Sequence, residues 1–251
     1  RDPEMSRGLG DVYKRQMQGI SQLAEKYSAP VFMHSSETKS EVEDCVERYG
    51  KSPTTLFDEL GLFNYGGGAY HSVWVDDNDL EIYKKRGVWA VINAGSNCKL
   101  ASGIAPVSKM MDLGINLAIG TDGPASNNAL DMFREMYLIA ATQRINDCDA
   151  ASTDANAILK AATIGSAHCM GLDECDVIDE GKTADLIVID MHRPNMQPIN
   201  NITKNIVYSG SKENVKMTMI NGKILYENGE FINTDIERIY SEAQAVIDRI
   251  K

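Results

Sequence analysis

Four short apolar runs, each followed by a stretch with helical spacing, constrain this chain more than any other feature. They are "VFMH" (31–34), "GGGAYH" (66–71), "VWAVIN" (88–93) and "INLAIGTD" (115–122). Each is shorter than a globular helix; "VFMH" reads as a strand buried on both faces, and "GGGAYH" as a poor but possible strand. Helical patterns lie between and around them. "MQGISQLAEKYSAP" (17–30) stops at Pro30, and "SEVEDCVERYG" (40–50) and "SPTTLFDELG" (52–61) each close on a glycine. "DDNDLEIYKKRG" (76–87) has acids in its first turn and bases in its last, matching the helix dipole. "APVSKMMDLG" (105–114) carries Pro106 in its first turn, "ALDMFREMYLIAATQRI" (129–145) is one long helix, and "TDANAILKAATIGSAHCMG" (153–171) is one or two more. Strand and helix alternating four times predicts an α/β architecture of parallel βα units. Barrels and doubly wound sheets both place ligands at the carboxyl ends of such strands, so this pattern leaves both open.

The two ends of the chain differ from this middle. "RDPEMSRGLGDVYKRQ" (1–16) has no hydrophobic period and reads as a non-native vector or adaptor tract. Residues 17–175 form the βα portion. Residues 176–232 read as a small β-rich module, through "EGKTADLIVIDM", "KNIVYSG" and "VKMTMINGKILYENGEF", with Asn221-Gly222 as a hairpin turn. A terminal helix fills 233–251. Hydrophobic residues make up 43% of the 251, enough for a real core. The net charge of −11 argues against nucleic acid and anionic membrane as partners. Five cysteines without a CxxC pair disfavour a disulfide framework, and no apolar run reaches the roughly 20 residues of a membrane span. A cytoplasmic protein is the expectation.

The polar residues that end the strands are the ones suited to chemistry. His34 and Glu37 lie three apart just past the first run, His71 ends the second, Asn93 the third and Asp122 the fourth. Neutral imidazole is a good zinc ligand and a carboxylate a good proton carrier. Each residue alone has an ordinary reading: His34 and His71 as hydrogen-bonded core histidines, Asp122 as a turn or helix-cap aspartate in "TDGPASNN". The combination favours chemistry, because an open zinc site needs nitrogen and oxygen ligands converging from different strands. His168 and His192 read as structural or solvated. The Gly- and Ser-rich "NAGSNCKLASGIAP" (93–106) lacks the GxxxxGK[ST] order of a phosphate loop and reads as a loop walling the site. No GxSxG elbow occurs, so serine hydrolysis has no support.

"HSSETKSEVEDC", "AYHSVW", "NAGSNCKLASGIAPVSKMMDLGINLAIGTDGPASNNALDMF" and "GKTADLIVID" together resemble the amidohydrolase superfamily, and within it the 5-methylthioadenosine/S-adenosylhomocysteine deaminases and their chlorohydrolase-like relatives. The likeness runs from about Met17 to the C-terminus. It implies the C-terminal half of a (β/α)8 TIM-type barrel plus part of a small β-sandwich. It implies one divalent metal, zinc or alternatively iron(II), with His34 and Asp122 as two of its ligands. Glu37 would hold the purine ring and move a proton, and His71 would orient the attacking water. Asp122 would both bind the metal and take the water's proton. The implied reaction is hydrolytic deamination of an adenine nucleoside, a small-molecule substrate, by homo-oligomeric enzymes. Guanine deaminase, triazine chlorohydrolase and a non-catalytic binding fragment are the alternatives.

Two departures from the family pattern stand out. Trp74 occupies the place of a second histidine, and no HxH pair occurs anywhere among the four histidines. Four further βα units are also missing. The sequence therefore reads as a truncated chain, expected to be inactive and poorly soluble by itself.

Overall fold

The computed structural model describes residues 14–250. Its strands are β1 (Val31–Ser35), β2 (Gly67–His71), β3 (Trp89–Ile92), β4 (Asn116–Ile119), β5 (Leu186–Ile189), β6 (Val215–Ile220), β7 (Lys223–Glu227) and β8 (Glu230–Phe231). The helices are α1 (Lys14–Tyr27), α2 (Lys39–Tyr49), α3 (Pro53–Glu59), α4 (Asp77–Arg86), α5 (Ala94–Lys99), α6 (Val107–Asp112), α7 (Pro124–Asn127), α8 (Met132–Asp147), α9 (Ala155–Lys160), α10 (Ser166–Cys169), α11 (Ile202–Ser209) and α12 (Ile236–Ile250). A π-helical turn, Ala161–Gly165, joins α9 to α10. Helix α1 begins at Lys14, three residues inside the tract assigned above to 1–16. The rest of that tract lies outside the described residues.

Strands β1 to β4 form one parallel sheet in the order of the chain. A doubly wound sheet reverses its strand order at a switch point. These four strands show no reversal, which is the arrangement of a barrel sector. The register aligns Ser35 with His71 and Ile92 with Ile119, bringing the four carboxyl ends to one side.

The outer face of the sheet carries the core. Ala69, Ala90, Ile92 and Ile119 pack there with Leu80, Tyr83, Met110, Ile139 and Ile158 from the helices. The inner face is different. Phe32, Tyr70, Trp89, Val91 and Ala118 line an open cavity of about 650 Å³. Strand β1 is accordingly half-buried along most of its length rather than buried on both faces, because it is an edge strand whose outer flank has no partner among the described residues. The weak strand signal of "GGGAYH" has a packing reason. A Cβ on Gly67 would lie 1.9 Å from the Val31 carbonyl oxygen, so only glycine lets β2 approach β1 there.

Strands β5 to β8 form a second, antiparallel sheet. Ile220 pairs with Lys223 across Asn221 (φ 49°) and Gly222 (φ 71°). This is the two-residue hairpin expected of Asn-Gly, with both central residues at positive φ. One segment of the predicted β module is not β. "KNIVYSG" lies in α11, where the Asn201 side chain accepts the Lys204 N–H as an N-cap and Val207 is fully buried. Its apolar residues face α8 and α9, so tertiary packing overrides a locally strand-like pattern. A second correction falls after β3. Within the stretch 93–106 read as a loop, Ala94–Lys99 forms the short helix α5, and Gly95, Ser96 and Asn97 are all buried.

Candidate metal centre

The carboxyl ends of β1, β2 and β4 deliver the polar residues to one point. His34 lies in β1 and His71 closes β2, and their rings stack with centroids 5.2 Å apart. The chain then turns sharply. Ser36 (φ 54°), His71 (φ 73°) and Asp122 (φ 58°) all adopt left-handed backbone conformations. Such conformations cost energy for non-glycine residues and cluster where a site is being shaped.

His71 Nε2 lies 3.9 Å from Glu37 Oε2 and 4.0 Å from Asp122 Oδ2. One ligand atom from each of His34, His71 and Asp122 falls within 4.8 Å of the other two. His34, Glu37, His71 and Asp122, four of the five residues singled out by their place at the strand ends, therefore meet, with His71 and Glu37 buried and His34 and Asp122 half-buried. Asn93, also at a strand end, is buried. His168 lies outside this group, paired with Asp176 at 2.9 Å, and the backbone N–H of His192 donates to Asp190.

Glu37, His71 and Asp122 are each held from outside the cluster. The backbone N–H of Glu37 donates to Glu41 Oε2 at 2.8 Å, the same carboxylate that closes the Thr38–Glu41 capping box starting α2. Ser102 Oγ donates to Glu37 Oε1 at 3.3 Å. The Trp74 indole N–H fixes Ser102 in turn, donating to its carbonyl at 2.7 Å. Ser96 Oγ donates to Asp122 Oδ2 at 2.6 Å, and Gly123 N–H to Asp122 Oδ1 at 2.6 Å. Asn97 Oδ1 accepts from His71 Nδ1 at 2.8 Å. Ser96, Asn97 and Ser102 were not singled out from the sequence. Their only signal was a run of small polar residues directly after a strand, which also describes any loop.

These contacts set the electrostatics. Burial opposes ionisation of Asp122, but the hydrogen bonds from Ser96 and Gly123, with the nearby imidazoles, outweigh it and hold the carboxyl below its usual range. Burial, reinforced by His71, pushes His34 below the ordinary imidazole value, against the pull of Glu37 and Asp122. His34 is thus held as the neutral base a metal requires. With Nδ1–H committed to Asn97, the free lone pair of His71 is on Nε2, the nitrogen that faces both carboxylates. Two imidazoles and a carboxylate at this spacing fit a divalent metal with open coordination positions.

The amidohydrolase family model matches residues 6–225. The chain belongs to the amidohydrolase family. A 5-methylthioadenosine/S-adenosylhomocysteine deaminase from Caldanaerobacter subterraneus subsp. tengcongensis is 41% identical over 226 residues, covering 90% of this chain and 52% of the relative. A zinc-bound adenosine deaminase from Xanthomonas campestris superposes with a TM-score of 0.90 at 34% identity, covering 95% of this chain and 55% of that one. A zinc complex of atrazine chlorohydrolase from Arthrobacter aurescens has a TM-score of 0.85 at 23% identity, over 93% and 52% of the two chains, which speaks for the shared fold. The amidohydrolase chain described here spans about half the length of the curated relative it matches.

Proposed function

We propose that the protein carrying this chain is a zinc-dependent hydrolytic deaminase of adenine nucleosides, of the 5-methylthioadenosine, S-adenosylhomocysteine and adenosine type. One observation carries this reading. Two carboxylates in different surroundings flank the same imidazole nitrogen, each about 4 Å away. A hydrolysis that must take a proton from water and give one to a ring nitrogen needs such a divided pair. The identity of 41% to a methylthioadenosine/adenosylhomocysteine deaminase and 34% to an adenosine deaminase supports adenine nucleosides over triazines, where identity falls to 23%.

His34 and Asp122 would hold the metal, and His71 Nε2 lies close enough to join them or to orient the attacking water. A divalent metal there supplies Lewis-acid activation of water at neutral pH. Asp122, kept ionised by Ser96 and Gly123, takes the proton released from the attacking water. His71, with Nδ1 bonded to Asn97, presents Nε2 to that water and aims it at the carbon bearing the amine. Glu37 gives a proton to the ring nitrogen, while Ser102 holds its other oxygen in place. The proton taken by Asp122 passes to the amine, the C–N bond breaks to release ammonia, and the added hydroxyl returns its proton to Glu37 as the carbonyl forms. Acid–base help of this kind is worth about 10²–10⁴-fold.

Ammonia release from 5-methylthioadenosine, S-adenosylhomocysteine, adenosine and guanine tests the proposal on the zinc-loaded product of the gene that carries this chain. Turnover is expected on the adenine nucleosides, falling about 10²–10⁴-fold in Glu37→Gln. Turnover confined to guanine, or a Glu37→Gln variant as active as the parent, would contradict it.

A further inference from the structure

The residues that orient His71 and Asp122 are themselves tied down by a buried acid outside the metal-donor group. Glu135 lies in the first turn of α8 and is fully buried. Both of its oxygens accept hydrogen bonds. Gly95 N–H donates to Oε2 at 2.7 Å, and Asn127 Nδ2 donates to Oε1 at 2.7 Å. Asn127 Nδ2 also donates to the Thr121 carbonyl at 2.6 Å. One carboxyl group thus joins the segment after β3 to the segment after β4.

What hangs from each segment gives the arrangement its purpose. Gly95 is followed directly by Ser96, which donates to Asp122, and by Asn97, which fixes the His71 tautomer. Thr121 directly precedes Asp122. A Cβ on Gly95 would lie 2.3 Å from Glu135 Oε1, so residue 95 must be glycine for the carboxyl to reach the backbone. A buried acid is costly, and an apolar residue would fill this place in α8 more cheaply if packing were its only role.

We propose that Glu135 is a positioning residue. It holds the start of α5 and the Thr121–Asn127 turn in one register, and through Ser96 and Asn97 it fixes the orientation of Asp122 and the tautomer of His71. The inference deepens the deaminase reading for the same site, but its primary test does not depend on turnover.

Glu135→Gln keeps the shape and replaces two acceptors by one acceptor and one donor. Either Gly95 N–H or the Asn127 amide then faces an N–H group. Two-bond ¹H–¹⁵N correlation on the product of the gene that carries this chain, without metal at pH 8, reads the tautomer of His71 directly. The parent is expected to show one tautomer with the proton on Nδ1, and Glu135→Gln a mixture. Glu135→Asp keeps both acceptors on a shorter stem and is expected to fall between them; it also serves if the glutamine variant does not fold. An unchanged His71 pattern in the folded variant, whatever its melting temperature, overturns the proposal. In the active protein, kcat is expected to fall about 10–100-fold with KM little changed, the size typical of losing outer-shell support. If the parent shows no deamination at all, the proposed function fails while the His71 spectrum still decides the role of Glu135.

Discussion

Asn97 determines which nitrogen of His71 can face the site. Its Oδ1 accepts the Nδ1 proton at 2.8 Å, and without that acceptor both tautomers become accessible. Asn97→Ala is therefore expected to lower kcat about 10–100-fold, with Asn97→Asp recovering much of it because an acceptor returns; steady-state kinetics on the two variants checks this. His34→Ala and Asp122→Asn act more directly, since each removes or weakens a donor. Both are expected to abolish stoichiometric zinc in a chelator-competition titration. Retention of one tight zinc by either would place the metal elsewhere. His34, Glu37, His71 and Asp122 were readable from the sequence because a polar residue at the end of a buried strand is conspicuous. Ser96, Asn97 and Ser102 were not, because their partners lie 26 or 65 residues away in the chain and no local spacing encodes that.

The elements differ in how far local sequence dictates them. Helix α4 has both a capping box on Asp76 and Asp79 and a left-handed glycine closing it at Gly87, and the sequence shows both. The hairpin at Asn221-Gly222 is equally explicit. Helix α11 is the opposite case: eight residues of mixed β-branched and polar character become helical because Val207 is buried against α8 and α9. Helix α9 shares that core through Ile158, which is fully buried. Ile158→Ala is expected to cost about 2–5 kcal/mol of stability, measured by denaturant unfolding. Past α10, Asp176 pairs with Lys182 at 2.8 Å and His168 at 2.9 Å, latching the segment that leads into β5. The hydrogen bonds from Lys182 and His168 pull the Asp176 carboxyl down to about 2. A depressed carboxyl stabilises the fold above its unfolded value of about 3.9, and the contribution fades as pH falls toward 2. The melting temperature of Asp176→Asn should therefore lie below that of the parent at pH 6 and converge with it near pH 2. A constant difference across that range would show that the latch does not act through charge.

As a whole, the molecule presents a barrel sector with an apolar inner face. Strands β1 and β4 each have one flank without a partner among the described residues, and Phe32, Tyr70, Trp89 and Val91 face an open cavity. Unpaired parallel edges beside a half-buried apolar cavity wall favour association. The 251-residue chain by itself is expected to show concentration-dependent self-association by sedimentation velocity, whereas a monodisperse monomer over a hundredfold concentration range would show that these surfaces are covered. No helix among the described residues is long and apolar enough to cross a membrane. The parallel βα order was readable in the sequence because four strand–helix alternations leave few other solutions. The open inner face was not, since periodicity cannot tell a strand covered on both sides from one covered on one. The central claim is that His34, His71 and Asp122 converge as a metal centre with Glu37 beside it. Crystals soaked in zinc and measured at its absorption edge test this directly. An anomalous peak is predicted about 2.0–2.2 Å from a His34 nitrogen and an Asp122 oxygen. A comparable peak on other residues, with these left bare, would contradict it.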